Sequence, residues 1–395
     1  MTLVQVKHFG SLPTGLTRRT STPSTPPCPR ICDSANPRLF TKAGILFLSV
    51  EQALFLWYDK SKRITQQRRM PMNTPIYSGI ITNYVCTAAC RHCMFASSPA
   101  LPKEYISREM AERLARLLRK AGTDSVHIGG GEPFMDFEAL TTLIACLNDQ
   151  GIGIDYIETN AFWCKNEDFA RKRLTHLRSL GVETIMVSVD PFHIEYIPLE
   201  RPIRLCQLLR ESGFDYFVWK ERYLRMLSRL DRTRTYSHQE LKDILGEDYV
   251  TETAREYGLG MNGRALGIAK DLFPRCPAEH WLSNSPCGSI GDTAHCHLDL
   301  YGNIVPSGCP GLSAKAEDYL NEAFPADRYP VLSRLATGGT TALFNYAREK
   351  GFTPDPAGYP SRCSLCYAMR VFLLEMAPSQ DLAPVCFYRG MEAVT

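Results

Sequence analysis

The chain has 395 residues, 44% of them hydrophobic and 22% charged. That length allows two or three domains with a large core, and a net charge of +3 gives no electrostatic argument for a nucleic-acid partner. Fifteen cysteines in a chain far too long for a disulfide-held mini-protein point to metal or cluster ligation.

Residues 1–75 carry eleven Lys/Arg against three Asp/Glu, leaving 34 against 39 for the remainder, so the basic character belongs to a tail. This stretch reads as a low-complexity, disordered extension or a start codon placed too early. Four prolines between Pro23 and Pro29 argue against the amphipathic helix of a transit peptide. Gly44–Tyr58 is the most apolar segment, but it is shorter than the ~20 residues of a membrane span and holds Glu51 and Gln52. A short amphipathic or buried helix and no membrane partner are expected, and the cysteine load implies a reducing, cytoplasmic setting.

From residue 76 strands and helices alternate. Ser78–Tyr84 reads as a strand. Ser107 caps a helix with apolar residues at Met110, Leu114, Leu117 and Leu118, stopped by Gly122. The predicted elements continue as strand Ser125–Ile128, helix Asp136–Asn148, strand Ile154–Glu158, helix Asn166–Leu180, strand Thr184–Val189, helix Ile203–Ser212 and strand Phe214–Trp219. Such βα repetition predicts a parallel sheet or barrel with its chemistry at the C-terminal strand ends.

The loop after the first strand contains Cys86, Cys90 and Cys93, a C-x3-C-x2-C run. Three thiolates on one loop can hold three corners of a [4Fe–4S] cubane and leave one iron open. Structural zinc wants four ligands, and no fourth cysteine follows locally. The next strand ends in Gly129-Gly130-Gly131-Glu132-Pro133, where glycines allow close backbone approach and the carboxylate can receive an ammonium group.

On Cys86/Cys90/Cys93 followed by Gly130-Gly131-Glu132-Pro133, Glu158-Thr159-Asn160 and Ser188-Val189-Asp190, the sequence resembles the radical SAM superfamily. The glycine-rich stretch Gly258–Gly267 falls where that family has a glycine-containing strand. The resemblance implies an α/β fold, with a partial (βα)6 radical SAM barrel over residues 76–270 and a C-terminal cysteine-rich α+β extension over 271–395. It implies a [4Fe–4S] cluster on the three cysteines and S-adenosylmethionine (SAM) on its open iron. Gly130, Gly131 and Glu132 would receive the methionine amine. Thr159, Asn160, Ser188 and Asp190 are candidates for ribose or carboxylate contacts, each with a plain alternative as a strand-end cap. A flavodoxin- or ferredoxin-type donor would supply the electron that cleaves SAM to a 5′-deoxyadenosyl radical. His193 sits just past a strand end, as a candidate catalytic acid or base. Arg264 and Lys220 could meet a substrate carboxylate or pair with surface acids.

In the C-terminal third, Cys287-x14-Gly302-x6-Cys309 with Cys363-x2-Cys366 resembles the SPASM or twitch extension. This implies one auxiliary [4Fe–4S] cluster, with Cys296 and Cys386 as further possible ligands. Structural zinc is the competing reading. His295 and His297 alternate around Cys296 on a predicted strand, where ordinary surface polarity explains most such histidines and a role as ligand, or in support of one, is the rarer reading. With no evident peptide-recognition domain in residues 1–75, the expected substrate is a small molecule of secondary metabolism. Three alternatives stand beside it. One is modification of a ribosomal peptide. Another is transfer of a 3-amino-3-carboxypropyl group to a soft acceptor such as As(III), since Arg362-Cys363-Ser364-Leu365-Cys366 resembles a motif of arsinothricin biosynthesis enzymes. The last is a non-catalytic zinc or iron–sulfur protein.

Overall fold

A computed structural model describes residues 78–257, 262–292, 294–320 and 325–392. The expected N-terminal extension and the Gly44–Tyr58 helix lie outside the described residues. The alternation appears as β1 (Ser78–Ile81), α1 (Arg108–Ala121), β2 (Ser125–Gly129), α2 (Phe137–Asp149), β3 (Gly153–Thr159), α3 (Glu167–Ser179), β4 (Thr184–Val187), α4 (Glu200–Glu211) and β5 (Asp215–Val218). Local chemistry sets the helix starts. The Ser107 hydroxyl accepts from the Met110 amide at 3.2 Å, Asp136 Oδ1 from Ala139 at 2.9 Å, and Asn166 Oδ1 from Phe169 at 3.0 Å. α1 stops at Gly122, whose φ of 82° is the left-handed conformation that a side chain would disfavour.

Four further helices follow, α5 (Glu221–Leu227), α6 (His238–Leu245), α7 (Tyr249–Tyr257) and α8 (Ala265–Leu272). The glycine-rich stretch therefore runs into a helix, and its residues 258–261 lie outside the described set. The sixth parallel strand is β6 (Cys296–Asp299), beyond residue 270, and it pairs in register with β1. β7 (Asn303–Val305) and β8 (Ala314–Lys315) continue antiparallel, giving the order β5-β4-β3-β2-β1-β6-β7-β8. The β6–β7 turn closes at Gly302, with φ 75° and its amide on the Asp299 carbonyl at 2.9 Å. The sheet is thus an open, partial barrel that draws one wall from the stretch expected to form the extension.

Strands buried on both faces, with Ile80, Ile81, Ile128, Ile157, Ile185 and Val187 at 0% exposure, make the first core. A second core holds α9 (Pro330–Glu349), α10 (Arg362–Met376) and α11 (Val385–Glu392) together through Leu332, Leu343, Leu365, Met369, Leu373 and Phe387. Among the described residues no helix is long and apolar enough to cross a membrane.

Candidate functional site

The loops after β1, β2, β3 and β4 surround a cavity of about 430 Å³, lined by Cys86, Cys90, Cys93, Glu132, Asn160 and His193 among others. Parallel strands that end together bring these loops to one rim. In the cysteine loop, Cys86 Sγ receives the Ala88 amide at 3.4 Å and the Asn160 side-chain amide at 3.5 Å, and Cys93 Sγ receives the Ser97 amide at 3.4 Å. Burial pushes the Cys86 and Cys90 thiols up, and the neighbouring cysteines add to the rise. Bound iron takes such thiols as thiolates, and N–H groups aimed at sulfur favour that form. Three mutually interacting thiols with donors at their sulfurs, beside an open cavity, fit a cluster held at three corners.

The glycines before Glu132 serve chain packing. A Cβ at Gly131 would lie 1.9 Å from the Val85 carbonyl oxygen, and one at Gly130, whose φ is 132°, would lie 2.7 Å from that of Asn83. The Gly131 and Glu132 amides donate to the Asn83 and Val85 carbonyls at 2.8 and 3.1 Å. The close approach is therefore to the cysteine loop itself. Glu132 is 1% exposed. Its carboxylate accepts from the Phe134 amide, the Thr159 hydroxyl and the Asn160 amide at 3.1, 2.9 and 2.8 Å. Burial pushes its carboxyl up to about 7, against the pull of those bonds.

Thr159 also accepts from the Trp163 indole at 3.0 Å, so its hydroxyl faces the protein. Asn160 reaches the Thr87 hydroxyl at 3.2 Å as well as Cys86. The Ser188 amide donates to the Thr159 carbonyl at 2.9 Å, and Ser188 lines the cavity. Asp190 is fully buried and turns back on its own loop. It accepts from the Phe192 and His193 amides at 2.7 and 3.0 Å, holds His193 Nδ1 at 2.6 Å, and accepts from the Tyr257 hydroxyl. Burial alone would raise Asp190, yet His193 and His92 hold it below the usual carboxylate range. The His193 ring in turn hydrogen-bonds Cys90. His193 is thus a neighbour of the cysteine loop, oriented by Asp190. His92 points to Asp190 at 3.4 Å.

Arg264, expected at a substrate or the surface, is 6% exposed and clasps the cysteine loop. It donates to the Cys90 carbonyl at 2.8 Å, the Ser97 carbonyl at 2.6 Å and the Gly390 carbonyl at 3.5 Å. On α11 a Cβ at Gly390 would lie 2.1 Å from the Ala96 carbonyl oxygen, so the helix rests directly on the loop. Lys220 lies over the Tyr257 ring at 5.9 Å. Arg264→Met is expected to cost about 2–4 kcal/mol, because buried carbonyls lose charged donors. Thermal unfolding with iron analysis checks this: iron should leave the variant faster on chelation.

Cys287, Cys309, Cys363 and Cys366 come together in the C-terminal region. Cys309 hydrogen-bonds Cys287 and, with two backbone amides, lowers the Cys287 thiol to about 6. Cys366 lies in the field of both Cys287 and Cys363, and burial raises it to about 12. Cys363 and Cys366 share one face of the first turn of α10. The other two candidates lie elsewhere. Cys296 faces the Tyr319 hydroxyl at 3.7 Å, and Cys386 borders a separate cleft with Tyr301 and Arg389.

His127, on β2, escaped the sequence reading, and His295 and His297 join it at the cavity wall instead of the surface. The available signal was a polar residue inside the otherwise apolar strand Ser125–Gly129.

Residues 80–222 match the family model of the Radical SAM superfamily. A curated relative, "Putative peptide biosynthesis protein YydG" of Bacillus subtilis (strain 168), is 29% identical over 116 residues, or 28% of this chain. The chain spans 35% of that relative's length. Among solved structures, native anSMEcpe with bound AdoMet aligns over 75% of this chain and 96% of that chain, with TM-score 0.38 and 11% identity. Streptococcus suis SuiB bound to precursor peptide SuiA aligns over 89% and 84%, with TM-score 0.32 and 16% identity.

Proposed function

We propose that residues 80–222, which match the Radical SAM superfamily model, form a radical SAM domain that this chain uses to modify a peptide. The observation that carries the peptide reading is the similarity to a relative named as a putative peptide biosynthesis protein. The small-molecule expectation gains no such support. Cys86, Cys90 and Cys93 would hold the [4Fe–4S] cluster, and SAM would occupy the adjoining cavity. When bound, the pair supplies one-electron chemistry at a carbon–sulfur bond.

The chain's own residues prepare that site. Glu132 fixes the Thr159–Asn160 turn, which places the Asn160 amide against Cys86. Asp190 fixes the His193 ring beside Cys90. Gly130 and Gly131 let β2 abut the cysteine loop. The cavity wall shields reactive species from solvent. We assign Cys287, Cys309, Cys363 and Cys366 to one auxiliary [4Fe–4S] cluster within a C-terminal SPASM-like region, and a flavodoxin- or ferredoxin-type protein as electron donor.

The test is anaerobic reconstitution with iron and sulfide, followed by reduction in the presence of SAM. The expected result is 5′-deoxyadenosine and about eight irons per chain, falling to about four in Cys366→Ala. Mass shifts in a ribosomal precursor peptide encoded beside the enzyme test the substrate class. 5′-Methylthioadenosine instead would indicate aminocarboxypropyl transfer. Turnover of small molecules alone, with no peptide modified, would overturn the peptide reading.

A further inference from the structure

Three histidines meet in the cavity wall on a layer of the sheet that the cysteines do not share. His127 on β2 and His297 on β6 stand in register on either side of Gly79 on β1. His295 lies just ahead of β6, two residues before His297, and its ring stands 4.7 Å from the His297 ring, centre to centre. The ligand nitrogens of all three lie within 4.8 Å of one another, and His127 Nε2 is 3.3 Å from His297 Nε2. Two nitrogens that share a tetrahedral zinc, each about 2.0–2.1 Å away, stand about 3.3 Å apart.

The backbone makes room for this arrangement. A Cβ on Gly79 would lie 2.3 Å from His127 Nε2 and 2.6 Å from His297 Cδ2, so the central strand presents no side chain where the rings converge. Tyr156 stacks on His127 with ring centres 5.1 Å apart, and Phe95 meets His297 edge-on at 5.3 Å, walling the rings from the sides. Burial lowers all three imidazoles, His297 to about 3, and neutral imidazole is the metal-binding form. Asp292 pulls the His295 imidazole up, and the carboxylate beside His127 is Glu158, 3.9 Å from Nε2. Its carboxyl is raised to about 7, first by burial and then by Glu132, so it is a weak counter-ion for an imidazolium. Imidazole nitrogens favour zinc and neighbouring transition ions over magnesium or calcium.

We infer that His127, His295 and His297 form a mononuclear zinc-class metal site in the cavity wall. Its open fourth position takes a carboxylate, deprotonated amide or thiolate of the bound substrate. Three protein ligands with one open position is the arrangement that lets zinc accept a substrate group. The metal site stands on its own geometry; only the access of substrate to it rests on the function proposed above.

The test uses the full chain with its clusters reconstituted, so that cysteines are occupied, and titrates it with Zn2+ and separately with Co2+. One further ion per chain is expected, with the visible absorption of tetrahedral cobalt and no added sulfur-to-cobalt charge transfer. His295→Gln, His297→Gln and His127→Gln should each weaken binding about a hundredfold or more. His295 is half-buried at the cavity, so His295→Gln is the variant that should keep its fold and iron content even if His127→Gln does not. Uptake of no further ion by the wild type, unchanged uptake in His295→Gln and His297→Gln, or sulfur ligands at the zinc by X-ray absorption would each overturn the site. SAM cleavage measured on the same samples separates this outcome from failure of the radical SAM reading. A chain that binds zinc through histidines yet cleaves no SAM keeps the first and loses the second.

Discussion

Cys90→Ala is expected to fold almost unchanged and to lose all SAM cleavage. The Cys90 side chain is 6% exposed, and removing one sulfur atom from a packed loop costs about 1 kcal/mol. The backbone of that loop is held independently of the thiol, through the Arg264 bonds to the Cys90 and Ser97 carbonyls. On the assignment proposed above, what would disappear is one of three corners of a cluster that has no fourth protein ligand to spare. Iron should fall by about four per chain, and 5′-deoxyadenosine should drop to background, while the melting temperature moves by a few degrees at most. Full iron content and undiminished turnover in this variant would place the cluster elsewhere.

Gly131→Ala should do the reverse, acting first on the fold. The added carbon would meet the Val85 carbonyl at 1.9 Å, and the obstacle is backbone, which cannot swing aside as a side-chain tip can. The expected cost is about 3 kcal/mol or more, corresponding to a fall in melting temperature of about 6–12 °C, with loss of cluster because Val85 adjoins Cys86. Gly267→Ala is the control. It lies in α8 with nothing near its Cβ position, and alanine there should stabilise by about 0.5 kcal/mol. Equal melting temperatures for Gly131→Ala and wild type would mean that the β2 end and the cysteine loop do not touch as described.

Features decided within a few residues were legible in the sequence. Ser107, Asp136 and Asn166 cap helices whose first amides they reach directly, and Cys86, Cys90 and Cys93 share one loop. Features decided by strand order were not. Gly131 is constrained by Val85, and no periodicity reports that contact. Asp190 and Thr159 are candidate ligand contacts by resemblance, with strand-end capping as the plain alternative, and the partners that engage their oxygens, His193, Tyr257, Glu132 and Trp163, come from other segments or from the following loop. The three histidines meet because β6 pairs with β1 from far along the chain, whereas the glycine-rich stretch, the expected source of a sixth strand, leads into a helix. Arg264 is expected from sequence at a substrate carboxylate or at surface acids, because the carbonyls it serves belong to segments distant from it in sequence.

The seating of Gly390 on Ala96 sets a timetable for making the holoenzyme. The cysteine loop is among the first described segments to be synthesised, and α11 is the last. Between those moments the three thiols face the cell without their cover. Cluster delivery has its widest opening then, and oxidants have theirs too, since an exposed thiol climbs toward sulfenic acid or a mixed disulfide. Once α11 docks, its Gly390 backs the loop at Ala96, and the thiols are left open on the cavity side alone. A chain that folds before iron arrives therefore keeps one route for loading, through the same cavity that its small-molecule partner would use.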